Sequence, residues 1–313
     1  MDVFEGAEFV RLRSPGHGTY LHAAEDGRGV LLDARGAAPH AAWAVQREVL
    51  SGGFRGRSGS PHLLLRGVYG RYLGSPSPDP SGPPLLPCRR RRRAAAQRDR
   101  DEQQLLAIMW RAVATGSDAR DRVVLMHDAY GRYLRSNWRH LPCRAGVAVC
   151  DWDDCCFGRT MMWVVEIIPS KLGQPELPLQ LDSAWVKLFD GVCPLLAGVR
   201  RWVRKASQQQ REIRWVLADD SGSFREEDWD SFQHSGRSEI VLRDRLAHLT
   251  LQFCRLTLFI RAGRHGQLTP LVTDLPRGSE RLDIVVRRAD GIDDDQLIFP
   301  DVDRETAEVQ IKQ

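Results

Sequence analysis

Three stretches of the chain repeat one pattern and decide the fold: VRLRSPGHGTYL (residues 10–21), LLLRGVYGRYL (residues 63–73) and VVLMHDAYGRYL (residues 123–134). Each copy ends on a Tyr-Leu pair, with a glycine two residues before the tyrosine and a leucine eight residues before it. A tryptophan in a short apolar segment follows each copy. These shared positions, which we expect to form the core of the repeat, are Leu12, Tyr20, Leu21, Trp43, Leu64, Tyr72, Leu73, Trp110, Leu125, Tyr133, Leu134 and Trp163.

Each copy predicts a β-hairpin. Apolar and polar residues alternate before the turn, as in a half-buried strand. The glycine supplies the positive φ that tight hairpin turns need. A single hairpin cannot bury its apolar face, but three copies closed around one axis can, and closure leaves no open sheet edge. The pattern therefore predicts an all-β trefoil over residues 1–168.

The second copy carries an insertion, which we expect to be flexible over residues 74–104 because its first part is dense in proline. The insertion also holds five consecutive arginines, a pattern found in nuclear-import signals and in patches that bind nucleic acid. A solvated loop is the alternative interpretation. The run consists of Arg89, Arg90, Arg91, Arg92 and Arg93.

Residues 169–210 have the composition of a linker, with prolines at 169, 175 and 178. Within it, Leu195, Val199, Trp202 and Ala206 recur at helical spacing beside basic side chains. This basic amphipathic stretch could bind calmodulin or an anionic membrane surface, or it could pack its tryptophan on a neighbouring domain.

Beyond the linker, the order of elements changes to strand, strand, helix, strand, short strand, strand. Ser238 is placed to cap the helix, and Leu242, Leu246, Leu249 and Phe253 form its apolar face. This order over residues 211–289 predicts an α+β ubiquitin-like (β-grasp) domain. Residues 290–313 are then expected to be an acidic tail.

Both halves resemble one family. The segments VRLRS, YL and W of the first copy, with YGRYL in the other two, are similar to the plant family called domain of unknown function 569. That family is often described as actin cross-linking, because its trefoil is similar to those of fascin. The segments DDSG, EEDWDSF, GRS, RAGRHGQLTPLV and DLP resemble the ubiquitin-like domain that accompanies the family's trefoil.

The resemblance implies a non-catalytic plant binding or scaffold protein that acts through protein partners. Carbohydrate binding by a lectin-like trefoil is one alternative, for which Asn137 and Trp138 are the candidate residues, and association with actin filaments is another. The arginine run would add nucleic acid or importin as partners.

We expect no enzyme activity and no cofactor. Four cysteines cluster near His140, but they lack the paired CxxC spacing of a zinc site. Asp151, Asp153 and Asp154 resemble a carboxylate pair, yet a turn explains them equally well. The cysteines are Cys143, Cys150, Cys155 and Cys156.

The net charge of +4 over 313 residues combines unlike parts. Residues 1–168 carry 24 basic and 18 acidic side chains, whereas residues 211–313 carry 15 basic and 20 acidic ones. The first residues, Met1 to Glu5, do not resemble a secretory signal, and the sequence contains no long apolar run. We therefore expect a cytoplasmic or nuclear protein that is not secreted and has no transmembrane segment.

Overall fold

A computed structural model describes the chain over eleven ranges. They are residues 3–48, 62–75, 92–114, 122–127, 131–137, 146–152, 160–173, 210–219, 221–251, 256–288 and 297–304. The fold divides into two compact units. The first comprises Met1–Lys171, Ala262–Gln267 and Ile298–Gln313, and the second comprises Leu172–Arg261 and Leu268–Leu297.

The first unit is built around a closed ring of six antiparallel strands. The ring runs β1-β4-β5-β9-β10-β13 and returns to β1. The three predicted hairpins are β1–β2, β5–β6 and β10–β11. The antiparallel pairs β2–β3, β6–β8 and β11–β12 extend them, and β7 pairs with β12. The strands are β1 Phe9–Ser14, β2 Thr19–Ala23, β3 Val30–Asp33, β4 Trp43–Glu48, β5 His62–Arg66, β6 Tyr72–Gly74, β7 Arg92–Ala94, β8 Ala96–Arg98, β9 Trp110–Ala114, β10 Arg122–His127, β11 Arg132–Ser136, β12 Val147–Cys150 and β13 Met162–Ile168. The predicted trefoil is confirmed.

The turn glycines behave as the sequence predicts. Gly18, Gly70 and Gly131 have φ values of 63°, 74° and 59°. A side chain at such a φ would be strained, which explains why the same spacing recurs in all three copies.

The three tryptophans make the same buried hydrogen bond. The Nε1 group of Trp43 donates to the Leu21 carbonyl over 3.0 Å. Trp110 and Trp163 donate in the same way to the carbonyls of Leu73 and Leu134, over 2.9 Å and 3.1 Å. All three indoles are fully buried, so each bond satisfies two polar groups that water cannot reach.

The end of the segment predicted as a flexible insertion differs from that prediction. Within residues 74–104, β8 pairs with β6, and β7 pairs with β12. Ala95 and Gln97 are buried, and the Gln97 side-chain amide donates to the Gly29 carbonyl over 2.7 Å. The second repeat needs this returning strand. The β8 sequence, Ala-Gln-Arg, contains none of the β-branched or aromatic residues that are enriched in strands, so the sequence pattern does not show it. Residues 76–91 lie outside the described part.

The C-terminal stretch returns to the first unit. Strand β20 (Ile298–Pro300) pairs with β14 (Ser170–Leu172), and the Asp301 N–H donates to the Pro169 carbonyl over 2.8 Å. Phe299 is 2% exposed. This part of the expected acidic tail 290–313 is thus a strand, because an apolar Ile-Phe pair finds a partner strand. Residues 289–296 and 305–313, including Asp293 to Asp295, lie outside the described residues.

The second unit is a five-stranded sheet with one helix. The strand order is β16-β15-β19-β17-β18, with β15 and β19 parallel at the centre and the other pairs antiparallel. This confirms the predicted ubiquitin-like order. The elements are β15 Gln210–Leu217, β16 Asp230–Ser235, α1 Glu239–Leu249, β17 Leu256–Arg261, β18 Thr269–Pro270 and β19 Leu282–Arg288.

Helix α1 begins where its cap predicts. The Ser238 hydroxyl accepts a hydrogen bond from the Val241 N–H over 3.4 Å. Leu242 and Leu246 are fully buried, but Leu249, predicted on the same face, is 49% exposed. Leu249 is the last helical residue, so the buried face spans two turns instead of three. Phe253 and most of the predicted linker, including the basic amphipathic stretch, lie outside the described residues.

No helix in the described ranges is long and apolar enough to cross a membrane.

Replacing Trp163 with phenylalanine should destabilise the first unit by about 1–3 kcal/mol, because the buried Leu134 carbonyl loses its donor. Urea unfolding followed by circular dichroism measures the loss, and Trp43→Phe and Trp110→Phe should behave alike. The control is Trp152→Phe, whose ring is 46% exposed. Equal stability of Trp163→Phe and the control would contradict the role given to the bond.

Replacing Phe299 with alanine should destabilise the first unit by about 3–5 kcal/mol, because a buried aromatic ring leaves a cavity. Native-state hydrogen exchange can assign the loss to amides of β1 and β13 rather than to those of β15 and β19. Ile298→Ala, at a half-exposed position of the same strand, is the matched control. Unchanged exchange in β1 and β13 would show that β20 is dispensable.

Candidate functional site

The predicted repeat positions are mostly interior. Tyr20 and Tyr133 are half-buried, whereas Tyr72 is fully buried beneath Leu105, Ile108 and Met109. The other nine residues are fully buried: Leu12, Leu21, Trp43, Leu64, Leu73, Trp110, Leu125, Leu134 and Trp163. These side chains pack the core of the barrel. Among the repeat positions, only the two half-buried tyrosines reach the surface, where a ligand could bind.

An ion pair repeats beside the tyrosine in two copies. Arg71 Nε lies 2.9 Å from Asp99 Oδ1, and Arg132 Nε lies 3.1 Å from Asp151 Oδ1. In both copies the arginine precedes the tyrosine, and the aspartate follows the strand paired with it. In the first copy Thr19 replaces the arginine.

The first copy has its own polar cluster around Asp33. The Arg35 side chain and its backbone N–H both donate to Asp33, which lowers the pKa of this carboxyl from 3.8 to about 2. His22 lies nearby and is 3% exposed, with its Nε2 atom donating to the Arg35 carbonyl over 2.8 Å. Burial lowers the pKa of His22, and the hydrogen bond to Arg35 opposes this only in part.

The third copy differs from the other two by an aromatic pair beside its repeat tyrosine. The rings of Tyr133 and Trp152 meet edge to face, with centroids 5.0 Å apart and an interplanar angle of 68°. Trp152 is 46% exposed and directly follows Asp151. Sequence reasoning missed Trp152. The signal that could have found it is an aromatic residue in one copy where the other two copies carry none.

The other sequence candidates are not brought together by the described residues. Cys150 is buried, and Asn137 is 7% exposed. No group of three metal-ligating side chains occurs within the described ranges. Beyond those ranges lie His140, Cys143, Asp153, Asp154, Cys155, Cys156 and Trp138, the residues Arg89 to Arg91, and the side chains of Arg92 and Arg93.

One face of the ubiquitin-like sheet is covered by the loop between β15 and β16. Phe224 and Trp229 pack on a buried cluster that contains no residue of α1, formed by Val216, Ala218, Phe259 and Val285. The guanidinium carbons of Arg214 and Arg261 each lie 4.6 Å from the centroid of a Trp229 ring. Arg261 also forms an ion pair with Glu226. This sheet face is therefore already occupied by the unit's own side chains.

The exposed apolar side chains of the second unit lie on and after α1. Between residues 210 and 288, the described large apolar residues that are exposed are Ile240, Val241, Leu249 and Leu251. Leu251 is 79% exposed and has a φ of 52°, a conformation normally reserved for glycine after a helix. The left-handed residue ends the helix at this position, and a leucine there is strained.

The family is now shown directly. A family model described as a β-trefoil domain of unknown function (DUF569) matches residues 1–165, and a model of the DUF569-associated ubiquitin-like domain matches residues 209–287. The chain belongs to the DUF569 family. The trefoil model and the model of its associated ubiquitin-like domain thus both match this chain. The resemblance inferred from the repeat is confirmed.

Solved structures resemble about half of this chain at low scores. The designed 3-fold symmetric protein ThreeFoil is 15% identical, with a TM-score of 0.36. The match covers 50% of this chain and 97% of that chain. The SDF2-like protein from Arabidopsis thaliana is 16% identical (TM-score 0.36; 51% of this chain and 92% of that chain). A Polyporus squamosus lectin is 12% identical (TM-score 0.36), and the match covers 54% of this chain and 51% of that chain. At these scores the likenesses carry no argument about ligands. No curated protein matches the chain.

The lowered pKa of His22 predicts a pH dependence of stability. Since its ordinary pKa is 6.5 and the folded value is lower, the unfolded chain binds more protons below pH 6.5. Stability is therefore complete above that pH and falls as the pH drops below it. His17 and His234, whose pKa values burial also lowers, act in the same direction.

Denaturant unfolding of the wild type and of His22→Gln between pH 8 and pH 5 tests this. The amide of glutamine can keep a donor for the Arg35 carbonyl but does not titrate. The variant should lose less stability on acidification than the wild type. Identical slopes would show that His22 makes no contribution.

Proposed function

We propose that this protein is a non-catalytic binding protein whose ubiquitin-like unit contacts a separate protein partner through the exposed apolar residues at the two ends of α1. The observation that carries the proposal is the concentration of exposed apolar side chains at Ile240, Val241, Leu249 and Leu251. Ile240 and Val241 lie in the first turn of α1, and Leu249 and Leu251 lie at its end. Exposed apolar residues concentrated on one element are typical of interaction sites, whereas scattered ones are ordinary.

The covered sheet face supports this choice of surface. A two-layer α+β fold can offer either its open sheet face or its helix to a partner, and here Phe224 and Trp229 occupy the sheet face. The partner surface is expected to be apolar at its centre.

Two substitutions can reduce the exposed apolar surface without harming the fold. Val241 is the third residue of α1, so Val241→Glu would complete a capping box with Ser238 and favour the helix. Leu251→Gly would relieve the strain of a φ of 52°. Both variants should stay folded while they present less apolar surface.

Affinity capture with the full-length chain, quantified by mass spectrometry, tests the proposal. The captured amount of each protein that the wild type enriches should fall at least roughly fivefold with the double variant Val241→Glu, Leu251→Gly. This is the effect of losing about 1 kcal/mol of binding free energy. Leu106→Glu changes an exposed leucine of the first unit and is the matched control. An unchanged set of captured proteins, or no enriched protein, would overturn the proposal.

Association with actin and polyanion binding through Arg89 to Arg93 stay predictions. Co-sedimentation with filaments and retention on heparin are their respective tests.

A further inference from the structure

The third repeat presents a surface cluster that the barrel does not need. Arg132 and Tyr133 begin β11, and Tyr133 lies opposite Cys150 at the end of β12. Asp151 and Trp152 follow immediately, which places a guanidinium, a carboxylate and two aromatic rings at one end of this hairpin. The cluster lies in the first unit and is independent of the partner surface proposed for α1.

The other two repeats provide an internal control for this position. Counted from the residue that pairs with the repeat tyrosine, Trp152 corresponds to Arg35 in the first copy and to Arg100 in the second. Both arginines form ion pairs, Arg35 with Asp33 and Arg100 with Glu48 over 2.8 Å. The barrel therefore accepts an ion-paired arginine here. A tryptophan that stays 46% exposed is not required by the fold.

We propose that Trp152, Tyr133, Asp151 and Arg132 form a subsite for a neutral pyranose sugar. A pyranose ring has a face of C–H groups that stacks on an exposed indole and an edge of hydroxyl groups that needs polar partners. The edge-to-face contact with Tyr133 holds the indole, so little side-chain freedom is lost on binding.

The polar half of the cluster matches hydroxyl groups. A carboxylate offers about four lone-pair positions, and the Arg132 Nε group takes one of them on Asp151 Oδ1. The Asp151 side chain is 53% exposed, so a sugar hydroxyl can reach it. Because Arg132 and Asp151 neutralise each other, the subsite selects a neutral sugar over a charged one.

The subsite is shallow, so one sugar ring should bind weakly, with a Kd on the order of 1–10 mM. Saturation-transfer NMR on the full-length protein can measure binding at this strength. The probes are methyl β-D-galactopyranoside and methyl β-D-glucopyranoside, with choline as a cationic probe for the same aromatic pair. In at least one pyranoside, the ring C–H protons should receive more saturation than the methyl protons of the same molecule.

Three variants separate the subsite from the fold. Trp152→Arg installs the residue type that the other repeats carry, and it should reduce the saturation at least roughly tenfold. Asp151→Asn should reduce it several-fold, since an amide binds hydroxyls less strongly than a charged carboxylate. Asp99→Asn changes the corresponding ion pair in the second repeat and should leave the saturation unchanged.

Three results would overturn the proposal. One is equal saturation in the wild type and in Trp152→Arg, with circular dichroism showing both folded. Another is no saturation of either pyranoside at 20 mM, roughly twice the weakest expected Kd. The last is saturation of choline alone, which would reassign the aromatic pair to a quaternary ammonium ligand.

Discussion

Closure of six strands into one ring is the constraint on which the first unit depends. A ring leaves no free edge but requires every repeat to supply strands of matching register. Each repeat meets this requirement with an indole N–H that donates to a leucine carbonyl of the preceding hairpin, over 2.9–3.1 Å. Because these groups are buried, a shift in register would leave a donor and an acceptor unsatisfied together. The bond thus ties each hairpin to the barrel.

The same threefold frame separates side chains that hold the fold from those available for binding. Leu12, Leu64 and Leu125 are equivalent and fully buried, so their role is packing. Trp152 stands where the other repeats place ion-paired arginines, and an aromatic ring has no counterpart there. Equivalent positions in the three copies can therefore be compared with one another. A residue type that occurs in one copy only, such as Trp152, is not required by the barrel that all three copies build.

The ubiquitin-like unit divides its apolar residues differently. The loop from β15 to β16 uses Phe224 and Trp229, with two arginines beside the indole, to cover one face of the sheet. That leaves α1 as the exposed apolar surface, and the strained backbone of Leu251 lies at its end. Protein binding through the helix and sugar binding through the trefoil would use different units, so either can fail without the other.

The sequence by itself determined the three hairpins, their turn glycines, the helix cap at Ser238 and the order of elements in both domains. These depend on local rules, namely alternation, φ preference and capping, which act over a few residues. Tertiary structure alone decided that β8 comes from the arginine-rich insertion, that Phe299 packs in the first unit and that Leu249 stays exposed. It alone also brought Trp152 against Tyr133. Each of these depends on partners distant in the chain, and no local propensity encodes which strand or ring a residue will meet.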